Sequence, residues 1–261
     1  MYLLGYLFAL YAAKQKIKHN MSLIKKNEIE NLIFIGFLGV FFGGRIGYVL
    51  FYNFKIFLNH PLYIFEIWNG GMSFHGGLIG VICAIWCYSI IYKKSFIQLT
   101  DFIAPLIPFG ICMGRIGNFI NCELWGRVTF NTPWAMLFPN SLNADLKLAQ
   151  TNNILFSVIE KYGSLPRHPS QLYEMFCEGI ILFFILNIFI LKPRHIGSIS
   201  GMFLLSYGII RFIIEFFREP DIQIGLLIAD LTMGQILSFP MIISGIILLF
   251  LSYKNIFKKH I

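Results

Sequence analysis

The chain has 261 residues, 57% of them hydrophobic and only 13% charged, with a formal net charge of +8. A soluble globular domain carries roughly 25% charged residues, so that class is excluded. The lysines fall at the ends of apolar runs, which points away from nucleic acid and toward anionic lipid headgroups.

Only helices and closed barrels satisfy their backbone groups in lipid, and the apolar runs show no period-two alternation. The expected fold is therefore an all-α polytopic membrane protein forming one integral membrane domain over 1–261. Seven apolar segments follow in chain order: about 1–13, 29–52, 74–92, 99–121, 173–191, 198–217 and 231–253. The start lacks the basic region and small-residue cleavage site of a signal peptide. The five cysteines, Cys83, Cys87, Cys112, Cys122 and Cys177, contain no CxxC pair and read as small core residues.

The second segment carries Arg45 within "GGRIGYVLFYN". The third opens on "GGMSFHGGLIG", residues 70–80, where Ser73 is a plausible N-cap and the glycines allow close backbone approach. Free N–H groups at such a helix start suit an anion, and His75 beside them is a candidate proton acceptor. The fourth segment ends in "GRIGNFINCELWGR", residues 114–127. Arg115 is embedded there at a cost on the order of 3 kcal/mol. Asn118 shares its face, Glu123 follows, and Gly114 with Gly117 is placed to let a neighbouring helix close in. An embedded guanidinium suits bidentate binding of phosphate, and a structural Arg115–Glu123 ion pair is the alternative.

Residues 122–172 are polar enough for a small region outside the bilayer. Within them "RHPSQLYE" marks a helix start at Pro169 and Ser170, with His168 and Glu174 nearby. The sixth segment contains "YGIIRFIIEFFREPD", in which Tyr207, Arg211, Glu215 and Arg218 form one polar stripe, either a salt-bridge ladder or part of a site.

Loop charges set an orientation. With the N-terminus outside, one side receives twelve Lys and Arg residues, among them Lys14, Lys25, Lys94, Lys192 and Lys254. The other receives six, among them Lys55, Arg127, Arg167 and Arg218. The first side is then cytoplasmic, and 122–172 faces outward. Arg45, Arg115, Arg211 and His75 then fall at similar depth near the outer face, which favours one outward-opening cavity over separate snorkelling side chains. No metal-ligand spacing, P-loop or GxSxG elbow is present, so neither metal nor cofactor is expected. The runner-up is an anion transporter or channel with an arginine-lined path. Against it, the only internal echo is "GRIG" at 44–47 and 114–117.

Together "GGRIGYVLFYN", "GGMSFHGGLIG", "DFIAPLIPFG", "GRIGNFINCELWGR", "RHPSQLYE", "FFREPD" and "MGQILSFPM" strongly resemble the bacterial prolipoprotein diacylglyceryl transferase family, over essentially the whole chain. The resemblance implies a multi-pass inner-membrane enzyme with seven transmembrane helices, a periplasmic head and an active site toward the periplasm. It implies transfer of the diacylglyceryl group of phosphatidylglycerol to the lipobox cysteine of a prolipoprotein, giving a thioether and glycerol phosphate. It implies that Arg115 binds phosphatidylglycerol, with Asn118, Glu123 and Gly126 contributing. His75, Tyr207 and Arg211 match other residues that the family relies on, and Arg45, Glu215 and Arg218 are read as supporting. Family members usually begin earlier, with an outer-face arm before the first helix. As a helix, Met1 to Ala13 spans only ~20 Å of the ~30 Å of hydrocarbon, so the first helix is expected to be incomplete or its start misassigned.

Overall fold

A computed structural model describes residues 2–18, 26–150, 152–220 and 231–259. Met1, Lys25 and Asp221, which enter the readings above, lie outside the described residues. Two compact units emerge, Tyr6–Ile103 and Ala104–Lys259, the second together with the first residues of the chain.

The first unit takes in most of α1 (Tyr2–Lys18), then α2 (Lys26–Tyr52), α3 (Phe54–Asn59), α4 (Phe74–Ile91) and α5 (Phe96–Ile103). Ser73 caps α4, its hydroxyl accepting from Gly76 N at 3.2 Å. α2 and α4 pack glycine to glycine. A Cβ added at Gly43 would stand 2.7 Å from Gly80 Cα, and one at Gly47 2.6 Å from Gly76 Cα. Lipid tails are as apolar as leucine, so helices in lipid associate through close backbone approach and polar contacts rather than hydrophobic drive.

The second unit starts with α6 (Ile107–Ile120). It continues through α7 (Leu142–Ala149), α8 (Asn153–Tyr162) and a two-stranded antiparallel ribbon of β1 (Met136–Leu137) and β2 (Pro166–Arg167), with Met136 opposite Arg167. α9 (Ser170–Glu174) runs into a π-helical stretch, Met175–Ile181, and on into α10 (Leu182–Ile190). α11 (Ser198–Ile214) and α12 (Met233–Tyr253) complete it. The 122–169 region is organised around one buried ion pair. Asp145 accepts from Arg167 Nε at 2.9 Å, from Ser141 Oγ at 2.6 Å and from Leu165 N at 3.0 Å, and Asp145 and Arg167 are both fully buried.

Among the described residues four helices are long and apolar enough to cross a membrane: Glu28–Tyr52, Phe96–Ile120, Ser170–Ile190 and Met233–Tyr253. Leu3–Ala13, His75–Ile91 and Ser198–Ile214 are shorter apolar helices. Large apolar side chains on these helices point outward, Phe42, Ile79, Trp86, Phe184, Ile243 and Phe250 among them. Cys83 and Cys87 are exposed in the same way, and of the five cysteines only Cys112 is buried, so the core reading holds for that residue alone. α11 stops at Ile214, short of the expected 217. Beyond it the backbone leaves the helix to pair elsewhere: Phe217 O accepts from Arg127 N at 2.9 Å, and Arg218 forms an antiparallel bridge with Gly126.

Candidate active site

Five arginines sort themselves by where their N–H groups go. Arg45, in the first unit, is buried rather than snorkelling. Its Nε donates to Ile64 O at 3.1 Å, Nη1 to Gly70 O and Gly71 O, and Nη2 to Tyr63 O at 2.7 Å and Glu66 O at 2.9 Å. Arginine has five N–H donors, and here five carbonyls take them. The guanidinium also lies 5.0 Å from the Tyr63 ring centroid. Arg45 therefore pins the 61–71 connection to α2. In the same unit His75 is exposed at the capped start of α4.

In the second unit Arg167 spends its donors on Asp145, on Gly126 O at 2.9 Å and on Glu219 Oε2 at 3.1 Å. Arg115 and Arg211 differ from both. Arg115 Nε lies 2.8 Å from Glu174 Oε2, and its Nη2 lies 3.3 Å from Glu178 Oε2. Arg211 Nη1 lies 3.2 Å from Glu174 Oε1 and 3.3 Å from Glu178 Oε1, while its Nη2 reaches Glu215 Oε2 at 2.7 Å. Among the described residues, Arg115 hydrogen-bonds only through Nη2 and Arg211 only through Nη1, both to Glu178; the Glu174 Oε2 and Glu215 Oε2 contacts are ion pairs without hydrogen-bond geometry, and Arg115 Nη1 and Arg211 Nε meet no carboxylate. The two arginine side chains keep 17% and 14% of their surface accessible, whereas Glu174 and Glu178 have none. The guanidiniums are thus held by fully buried carboxylates while keeping part of their own surface accessible. Arg218 joins the same cluster through Nη1 to Glu174 Oε1 at 3.0 Å. Among the described residues, three formal positive charges meet three negative ones.

Local sequence builds this cluster. Gly179 follows Glu178 in the π-helical stretch, and a Cβ there would stand 2.7 Å from Cys112 Cβ on α6. Its absence lets the two helices close up one turn from Arg115, so Glu178 reaches the guanidinium. Gly114 does not serve that purpose, because a Cβ added to it meets nothing within 4 Å. Glu215 lies against Gly234 in the first turn of α12, where an added Cβ would come 2.6 Å from its carboxyl carbon. The carboxylate thereby meets the positive end of a 21-residue helix. Tyr207, one turn before Arg211, is buried with its ring stacked on Phe203 at 5.8 Å.

Asn118 is half-buried and Glu123 exposed. Arg115 pairs with Glu174 and Glu178 rather than Glu123, so the Arg115–Glu123 alternative falls. Glu123 sits between Cys122 and Leu124, both in the left-handed backbone region at φ 53° and 55°, which is unusual for such residues. The turn is tied down by Gln171 Nε2 donating to Glu123 O at 2.6 Å and Ser170 Oγ to Leu124 O at 3.1 Å. Gly126 is wedged between two strands of backbone. An added Cβ would meet His168 O at 2.5 Å and Phe217 O at 2.6 Å. His168 packs edge-on against Tyr173 and Phe217, and this burial lowers its pKa from the usual histidine value. The Tyr207–Arg211–Glu215 part of the polar stripe holds together. Arg218 lies beyond the helix and reaches Glu174 instead.

Two members of the cluster escaped the sequence reading. Glu174 registered only as part of a helix start, and Glu178 did not register. A usable signal existed in "MFCEGIILFF": a lone carboxylate in an apolar run is as costly as a lone arginine and calls for a partner.

The model of the prolipoprotein diacylglyceryl transferase family matches residues 1–251. Curated relatives carry the name phosphatidylglycerol–prolipoprotein diacylglyceryl transferase. One from Photorhabdus laumondii is 61% identical over 255 residues, covering 98% of this chain and 87% of that protein. One from Proteus mirabilis is 59% identical over 98% of this chain and 87% of its own. One from Yersinia pestis (strain Pestoides F) is 56% identical over 99% and 90%.

Proposed function

We propose a function from one premise: the chain belongs to the prolipoprotein diacylglyceryl transferase family. It transfers the diacylglyceryl group of phosphatidylglycerol to the thiol of a prolipoprotein's lipobox cysteine, forming a thioether and releasing glycerol phosphate. The observation that carries this reading is the set of unspent N–H donors on Arg115 and Arg211, backed by buried carboxylates. Those donors suit a phosphate oxygen more than any other group an apolar chain would recruit.

The reaction is a displacement at carbon. A thiol with pKa near ~8.5 is mostly protonated at neutral pH, so a base takes its proton, and His75 has that role. The sulfur attacks the glycerol carbon bearing the phosphate ester. A carbon–sulfur bond forms, the carbon–oxygen bond breaks, and its electron pair leaves on the phosphate oxygen. Arg115 and Arg211 stabilise that oxygen's growing charge. Asn118, Glu123 and Gly126 belong to the phosphatidylglycerol-binding side, and Tyr207 to the reacting side. Arg45, Glu215 and Arg218 support them.

The seven apolar helices are all membrane-spanning in this reading, 122–172 forms a periplasmic head, and the site faces the periplasm from the inner membrane. The supporting observation is the excess of lysine and arginine on the opposite loops. Purified protein incubated with phosphatidylglycerol and a lipobox peptide should release glycerol phosphate and leave a thioether on the peptide. Anion flux in vesicles without that release would favour the transporter reading instead.

A further inference from the structure

Glu178 stands in an unusual place. Its two oxygens go to two different arginines, Oε2 to Arg115 and Oε1 to Arg211, each at 3.3 Å. Glu174, by contrast, touches three arginines, adding Arg218 at 3.0 Å and a short 2.8 Å contact to Arg115. Glu174 is the keystone of the cluster. Glu178 bridges only the pair whose remaining donors are unspent, and both its contacts are long for charge-assisted bonds, which ordinarily fall at about 2.7–2.9 Å. One anion spanning two guanidiniums through separate oxygens is also how a phosphate spans two arginines.

We infer that Glu178 is a positioning residue that acts as a resident counter-anion between Arg115 and Arg211. It fixes the spacing and tilt of the two guanidiniums, and it offsets enough of their charge that a phosphate is held without being trapped. This rests on the phosphatidylglycerol reading above. The charge count supplies the reasoning. With three arginines and three glutamates among the described residues the cluster is formally neutral, so an entering phosphodiester binds through unspent N–H groups rather than through a net field. The leaving phosphomonoester carries more negative charge than the lipid did. A cluster with surplus positive charge would hold that product hardest, and release would slow. Binding energy that favours the ground state or the product adds nothing to turnover.

The neutral variant Glu178→Gln keeps the volume and removes the charge. Its signature is a joint fall in kcat and KM. Relative to wild type we expect kcat for transfer to drop about tenfold or more, because the guanidiniums lose their alignment. The KM for phosphatidylglycerol should drop roughly threefold with it, and added glycerol phosphate should inhibit at correspondingly lower concentration. Glu178→Asp keeps the charge and shortens the reach. It should lose kcat while KM and product inhibition stay at wild-type values. A purely structural role would lower the yield of folded protein and leave KM and product inhibition unmoved in the remainder.

The experiment is steady-state transfer by the full chain in detergent, with phosphatidylglycerol, a lipobox peptide and added glycerol phosphate, each protein first checked by thermal melt. Folded Glu178→Gln with wild-type kcat, or with a raised KM, overturns the inference. Should Glu178→Gln fail to fold, Glu178→Asp decides, and wild-type kcat there overturns it. If wild-type protein transfers nothing, the functional reading itself fails. That result is distinct from transfer by wild type without the joint shift in the variant.

Discussion

At the residue scale, embedded charge is informative because it is expensive, and the ledger of hydrogen-bond donors separates arginines that composition treats alike. Arg45 and Arg167 have spent theirs on protein, whereas Arg115 and Arg211 have not. Lysine at position 115 would keep the charge but lose the planar fork that now faces two carboxylates and that, in the proposed reaction, also takes a phosphate. We expect Arg115→Lys to lose at least ~2 kcal/mol of transition-state stabilisation, about thirtyfold in rate. Near-normal transfer at matched expression would reduce Arg115 to a structural role. His75→Gln should fail differently. General-base loss typically costs about 10²–10⁴-fold. Part of that should return once the pH passes the thiol's ~8.5, while the Arg115→Lys loss should persist at every pH. A His75→Gln defect equally deep from about pH 6.5 to pH 9.5 would remove His75 as the thiol's base. That Arg115 would need polar partners was legible in the sequence, because an arginine interrupts an apolar run conspicuously. Glu178 interrupts one too, but its partners lie 33 and 63 residues away, and no local spacing links them.

At the element scale, the positions of the apolar helices followed from hydropathy, and Ser73 and Ser170 marked two of their starts. What hydropathy could not supply was where the backbone changes partners. α11 ends at Ile214 because the next residues pair with 126–127, a contact across some ninety positions. The π-helical stretch at 175–181 likewise has no periodic signature. Arg45 belongs to this scale, since it fastens a connection rather than a ligand. Arg45→Gln would leave several buried carbonyls unpaired, for a loss of at least about 3 kcal/mol. A melting curve should show the drop, while the fraction that still folds keeps its KM for phosphatidylglycerol. An altered KM with unchanged melting would give Arg45 a direct role at the phosphate. His168 fastens the start of α9 to Phe217 in a similar way. Its pKa is lowered by burial, so the folded protein resists its protonation. That contribution is complete above the usual histidine pKa of about 6.5 and is lost as pH falls toward the lowered value. Wild type should therefore lose more melting temperature between about pH 7.5 and pH 5 than His168→Gln does. Parallel curves would mean that His168 titrates alike in both states.

At the scale of the whole molecule, orientation depends on loop charge, and single exposed positions test it. In a cysteine-free background, a cysteine at Asn143 should react with an impermeant reagent added outside, and one at Lys192 should not. Both sites are exposed, so access is decided by side alone. The reverse pattern would turn the topology over. The ion cluster has a consequence for biosynthesis as well. Arg115 precedes its partner Glu178 by 63 residues. At ~5–20 residues per second of synthesis, the arginine exists for roughly 3–13 s before that carboxylate has been made. A lone arginine in hydrocarbon is costly for all of that time. The helix that carries it is long and apolar enough to cross the bilayer by itself, so it bears that cost alone until the later helix arrives, and a chain stalled in between holds a guanidinium whose two buried carboxylate partners, Glu174 and Glu178, have yet to be made.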